Sequence, residues 1–151
     1  MNQERTQEIE QNVPIRSTWI IEVFRAQPDG SYVPEPRQFR PNLWPSAGSG
    51  WLANRIGVVP TNSAMLYMAV GTTSTAAAVG NTTLTGEVSR KAFAVNNVIS
   101  TNVWQTVNTW GGGADSVASV SLVEAGTFNH AGSGQPTMGN RVTFAAVVLA
   151  N

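Results

Sequence analysis

Glycine and proline cut this chain into pieces too short for much except small strands and turns. The 151 residues include 14 glycines and 8 prolines. Pro34, Pro36, Pro41 and Pro45 stand close together, and Gly111-Gly112-Gly113 interrupts the second half. Proline fixes φ and lacks an N–H, and a glycine run carries a large entropic cost in any regular element. Between these breaks the residues alternate. Val142, Phe144, Ala146 and Val148 oppose Thr143, Ala145, Val147 and Leu149. Val103, Gln105, Val107 and Thr109 oppose Trp104, Thr106, Asn108 and Trp110. A period of two sends alternate side chains to opposite faces of a strand. Several such segments separated by turn signals predict an all-β fold, an antiparallel β-sandwich or barrel-like domain with an extended N-terminal arm and one or two short helices.

The expected elements follow. Residues 17–25 are β-branched and aromatic and read as a strand. Pro28-Asp29-Gly30 makes a turn, so 18–34 reads as a hairpin, and the proline-rich 34–48 as an extended connector. Residues 49–56 read as a short helix capped by Ser49, 65–70 as a buried strand, 71–83 as a small-residue loop and 83–88 as a helical turn. Strands are expected at 89–99, 102–110, 117–123 and 140–149. The domain reading is an arm, 1–17, followed by one β-rich domain, 18–151. Within it, 18–48 supplies the hairpin and connector and 49–151 the main core. The arm is polar; Ile9 and Val13 cannot build a core face, so a different polypeptide is expected to hold it. Glu4, Arg5, Glu8, Ile9 and Val13 are its candidate contact residues.

Charge is scarce. Charged residues make up 12% of the chain, about half the roughly 25% of an ordinary globular protein. After residue 43 the acids are Glu87, Asp115 and Glu124, and the bases Arg55, Arg90, Lys91 and Arg141. There is no cysteine and one histidine, His130, in a glycine-rich turn that reads as a solvated loop tip. Acid–base, nucleophilic and metal chemistry need converging titratable groups. The expectation is no catalytic, cofactor-binding or metal-binding residues, and no enzymatic activity. Ala47-Gly48-Ser49-Gly50 lacks the spacing of a nucleophile elbow, and no phosphate-binding glycine motif is present. Asn81-Thr82-Thr83 fits a glycosylation acceptor without a secretion signal to support it. A formal net charge of zero argues against nucleic acid or an anionic membrane as partner. No run approaches the ~20 apolar residues of a membrane span. The polar start lacks a signal peptide's apolar run, so synthesis and folding in a cytoplasm are expected.

Arg90 and Arg141 fall within strand candidates, and Glu124 directly follows one. A charge inside a sheet core must be paired and hydrogen-bonded, so Glu124 is expected to clip to Arg90 or Arg141. Trp19, Trp44, Trp51, Trp104 and Trp110 are candidates for core packing first, interface anchoring second, and sugar stacking third. Trp104 and Trp110 share parity and are expected on one face.

Two stretches resemble the structural proteins of tailed-phage virions. Met68-Ala69-Val70-Gly71-Thr72-Thr73 followed by Thr83-Leu84-Thr85-Gly86-Glu87-Val88-Ser89-Arg90 is similar to that family's strand, Gly-Thr loop and L-x-x-E-V-x-R segment. Glu124-Ala125-Gly126-Thr127-Phe128-Asn129 and Gly134-Gln135-Pro136-Thr137-Met138-Gly139-Asn140-Arg141-Val142-Thr143-Phe144 resemble its E-x-G-x-F-N and M-x-x-R-x-x-F ending. The likeness spans about 65–148, and residues 1–60 carry no matching motif. It implies a non-enzymatic virion component, assembled in a host cytoplasm, with the major capsid protein or other virion proteins and further copies of itself as partners. A capsid decoration protein is the first expectation. A tail, neck or head-fibre component with an adhesin or carbohydrate-binding role is the second. A virion glycan hydrolase using two of Glu87, Asp115 and Glu124 is the third.

Overall fold

A computed structural model describes residues 16–57, 61–101 and 103–150. The expected arm contacts Glu4, Arg5, Glu8, Ile9 and Val13 lie outside the described residues. The remainder is all-β and antiparallel with one helix, as the alternation predicts, and no sheet closes into a barrel.

The centre is a four-stranded sheet in the order β10-β9-β5-β6, made of β5 (Tyr67–Gly71), β6 (Glu87–Ala92), β9 (Ser121–Phe128) and β10 (Met138–Val148). Its inner strands, β5 and β9, are buried along most of their length, so both faces are covered. One face carries Val70, Ala125 and Val142, with Val117 and Leu122 in the same cluster and Trp19, Trp110 and Phe144 packed against it. The opposite face carries Ala69, Phe128, Met138 and Leu84, with Tyr67 alongside.

Around this sheet stand three two-stranded ribbons: β1 (Thr18–Ile21) with β4 (Gln38–Pro41), β2 (Phe24–Ala26) with β3 (Tyr32–Pro34), and β7 (Val95–Ser100) with β8 (Val103–Val107). The helix, α1 (Ser46–Ile56), lies against β10. Gly48 makes that approach close: a Cβ there would sit 2.0 Å from the Gly139 carbonyl oxygen.

Several boundaries differ from the sequence reading. The strand expected at 17–25 breaks at Glu22-Val23, where the Val23 carbonyl accepts from the Glu35 N–H at 2.8 Å. The hairpin is therefore β2–β3 alone, and β1 pairs instead with β4, inside the supposed connector. Proline permits this because Pro41 ends an edge strand. The helix starts at Ser46, not Ser49. Its N-cap is Pro45, no side chain caps it, and the Ser46 N–H donates to the Val79 carbonyl at 2.8 Å. No helical turn forms at 83–88; a turn at Thr85-Gly86 leads straight into β6. The strand expected at 89–99 divides at Phe93-Ala94, where the Phe93 N–H turns to the Leu66 carbonyl at 2.8 Å. The segment 117–120 precedes β9 rather than belonging to it, with Ser116 and Ser119 at φ 57° and 58°.

Candidate functional site

Sheet register puts four residues in one row across the sheet: Arg90 on β6, Ala69 on β5, Gly126 on β9 and Arg141 on β10. The two small central residues leave room for two long side chains. Each arginine takes its own acid. Arg141 pairs with Glu124, which lies on the neighbouring strand, at 2.8 Å. Arg90 is separated from β9 by β5, roughly 10 Å away in strand spacings. It pairs instead with Glu87 of its own strand at 2.6 Å. The expected clip is thus Glu124–Arg141, and Arg90 is not part of it.

Both clip residues are buried, Glu124 at 0% and Arg141 at 1% exposure. Their hydrogen bonds explain how that is tolerated. Arg141 Nε and Nη2 both donate to Glu124 Oε2, at 3.0 and 2.8 Å. Nη1 donates to the Ala76 carbonyl at 3.2 Å and Asn81 Oδ1 at 2.9 Å, and Nη2 to the Thr75 carbonyl at 2.9 Å. Those bonds match the five donors of a guanidinium. Glu124 Oε1 accepts from the Gly86 N–H at 3.1 Å and the Thr73 N–H at 3.3 Å. Gly71 supplies the space, since a Cβ there would lie 2.5 Å from Glu124 Oε1.

The pair therefore organises residues 72–86, a long connection whose ends meet in an Ω-loop. The Thr72 N–H donates to the Gly86 carbonyl at 2.9 Å. Glu124 holds both ends, and Arg141 holds the middle. Asn81 belongs to this arrangement: its Oδ1 also accepts from the Ala78 N–H at 2.7 Å.

The remaining acids are committed as well. Glu22 pairs with Arg37, Glu35 with Arg25, and Asp115 with Lys91, while Asp29 accepts from the Ser31 N–H and hydroxyl. Glu87, Asp115 and Glu124, the acids a glycosidase would need, each face their own cation. His130 is exposed, as expected. Among the described residues no group of three or more His, Cys, Asp or Glu could hold a metal, and no helix is long and apolar enough to cross a membrane.

Asp115 sits between Lys91 Nζ at 2.8 Å and the Gly111 N–H at 2.7 Å. Burial pushes its carboxyl up, but the Lys91 hydrogen bond, the Gly111 N–H and the Lys91 charge outweigh that and hold it below the usual carboxylate range. A lowered folded-state pKa contributes stability above the unfolded value of about 3.9, and the contribution is lost as pH falls through the folded value. Urea melts at neutral and strongly acidic pH should therefore show Asp115→Asn losing less stability on acidification than the wild type. Equal losses would contradict this role.

The five tryptophans act as ties. Trp19 donates from Nε1 to Asn140 Oδ1 at 3.2 Å, Trp44 to Ser17 Oγ at 2.9 Å and Trp51 to the Ser63 carbonyl at 2.8 Å. Trp104 donates to Asn96 Oδ1 at 2.6 Å and Trp110 to Ser89 Oγ at 3.2 Å. Trp19, Trp44, Trp51 and Trp110 are half-buried, and Trp104 is exposed. Trp104 and Trp110 do not share a strand face, because β8 ends at Val107. Trp44, Trp51 and Trp104 line a pocket of about 420 Å³ together with Arg16 and Arg55.

The exposed apolar surface lies mainly on the ribbons. Ile20 and Phe39 are cross-strand partners on the first and are both exposed. Phe24, Tyr32 and Val33 are exposed on the second, and Val98, Ile99, Val103, Trp104 and Val107 on the third. Most of these residues were not among the sequence candidates. Their signal was adjacent apolar pairs, Tyr32-Val33 and Val98-Ile99, which give a strand two apolar faces.

Comparison with protein-family models, with curated proteins and with solved structures finds no match to this chain. It therefore adds nothing to the resemblance to tailed-phage virion proteins.

Proposed function

We propose that this chain is a non-enzymatic structural protein of a virus particle, and within that class a capsid decoration protein that bridges neighbouring coat subunits. The observation that carries the reading is the set of three ribbons around one well-packed sheet. An isolated two-stranded ribbon is marginally stable in water. Three of them with apolar side chains on the outside suit a protein that works by being covered. Five of the six described acids face a cation and the sixth, Asp29, accepts from Ser31, which fits a structural role, and the tailed-phage resemblance supplies the kind of particle.

The test uses particles assembled without this protein. They should form but release their contents at a lower temperature, and added purified protein should restore them. Copy number per particle in the hundreds accords with decoration. Unchanged particle stability would overturn the reading. The tryptophan-lined pocket favours a second reading, a tail, neck or head-fibre component that binds carbohydrate. Lost adsorption to cells together with binding on a glycan array would select it.

A further inference from the structure

Charge in this protein is mostly cancelled where it stands. Among the described residues, Arg16, Arg40 and Arg55 are the cations that form no ion pair. Two of these, Arg16 and Arg55, line the same pocket, with Trp44, Trp51 and Trp104. Three parts of the fold meet there. Arg16 directly precedes β1. Trp51 and Arg55 lie one turn apart on α1 and so share a helix face. Asn96 and Trp104 come from the two strands of the β7–β8 ribbon. The volume, about 420 Å³, falls within the roughly 300–1,000 Å³ of small-molecule sites, which combine aromatic walls with a few polar groups.

Hydrogen bonding decides what this pocket can take. All three indole N–H groups are committed to the protein's own oxygens: Trp44 to Ser17 Oγ, Trp51 to the Ser63 carbonyl and Trp104 to Asn96 Oδ1. The rings are thereby held, and what they offer a ligand is apolar ring surface. The polar groups left over are donors. Arg55 Nη1 donates to the Asn62 carbonyl at 3.1 Å, which leaves most of a five-donor guanidinium. Arg16 brings a second one. Asn96 has its oxygen taken by Trp104 and keeps its NH2. No carboxylate lines the pocket. A ligand must therefore bring acceptor oxygens and negative charge, joined to an apolar ring face.

We infer that this pocket binds a carboxylated sugar, a hexuronic or sialic acid unit, with the C–H face of its pyranose ring on the tryptophans and its carboxylate on Arg55 and Arg16. A neutral sugar is served poorly by such a site, because each hydroxyl both donates and accepts and the pocket supplies mainly donors. A carboxylate only accepts, and it matches the guanidinium fork. A nucleoside monophosphate shares the same plan of ring plus anion, so the experiment separates the two. The inference deepens the carbohydrate-binding reading and rests on it, not on the decoration reading.

The experiment titrates the purified full chain with galacturonic acid, glucuronic acid and N-acetylneuraminic acid, followed by tryptophan fluorescence. Galactose, glucose and adenosine monophosphate are the comparison ligands. At least one acid sugar should bind roughly tenfold or more tightly than either neutral sugar, the margin of a hydrogen bond to a charged group, and added salt should narrow that margin. Arg55→Gln should weaken acid-sugar binding by roughly tenfold. Arg40→Gln, on β4 and outside the pocket lining, should leave it unchanged. Trp104→Ala should lower the affinity and Trp104→Phe restore part of it, both with an unchanged circular dichroism spectrum. Equal binding of acid and neutral sugars would overturn the inference and leave the carbohydrate reading standing. Tighter binding of adenosine monophosphate than of any acid sugar would overturn it, as would acid-sugar binding that Arg55→Gln leaves intact. Binding of no sugar at all would overturn the inference and the carbohydrate reading together, while the decoration reading stands or falls on particle stability alone.

Discussion

Glu124→Ala is expected to lower the stability of the fold by about 3–5 kcal/mol, the cost of leaving one partner of a buried ion pair alone. For a chain of this size that is a fall in Tm of roughly 10–15 °C. The substitution leaves Arg141 with two unmet donors in the sheet core. It also frees the Thr73 and Gly86 N–H groups, so both ends of the Ω-loop lose their anchor. Hydrogen exchange should therefore accelerate at 72–86 ahead of the sheet. Glu22→Ala, at a pair whose side chains are 41–62% exposed, should cost at most about 1 kcal/mol. Equal melting temperatures for the two variants would refute the clip. Replacing both partners with apolar residues should recover part of the loss in the global melt, since a buried pair is often no better than a well-packed hydrophobic substitute. The loop should stay loosened, because its partners are gone. That separates the pair's role in stability from its role in shaping the loop.

Phe128→Ala is expected to cost a similar amount, about 3–5 kcal/mol, for a different reason. The ring is fully buried among Ala69, Leu84 and Met138. It also underlies the Arg90 guanidinium, whose Cζ lies 3.7 Å from the ring centroid. Arg90 in turn donates to Glu87 and to the His130 and Gln135 carbonyls. Losing the ring opens a cavity and removes the surface on which that network rests. Phe128→Leu keeps much of the volume but not the π-face. A double-mutant cycle between Phe128→Leu and Arg90→Met, read by denaturant melts, should give a coupling of about 0.5–2 kcal/mol. No coupling would mean that the ring is packing alone.

The strands with a strict period of two were the most legible part of the chain. β10 stands over the run from Val142, although a register shift between Thr143 and Val147 breaks the alternation there and brings Leu149 into the same cluster as Val142 and Phe144, and β5 stands where an apolar run is bounded by glycine. Boundaries failed where the decisive contact is distant in sequence. Nothing local at Phe93-Ala94 signals a break; the strand divides because Leu66 offers a backbone partner. Ser116 and Ser119 adopt left-handed turns without glycine, so 117–120 looked like strand. The 34–48 segment hid β4 because an edge strand tolerates proline. The candidate site was half legible. A lone acid and two arginines in sparsely charged strands demanded a buried pair. Which arginine Glu124 takes depends on the strand order β10-β9-β5-β6, and sequence distance does not encode strand order.

Arg141 grips the Ω-loop chiefly through the carbonyl oxygens of Thr75 and Ala76, groups that every amino acid carries. Asn81 is its one side-chain partner in the loop, and Glu124 meets the loop ends through backbone N–H groups. Positions 74–76, 78 and 79 are exposed. Shape and spelling are thereby separated in this loop: the sheet dictates its course, while the letters written along its crest are free to change. A surface of that kind can be rewritten residue by residue, by mutation or by design, without touching the frame beneath it.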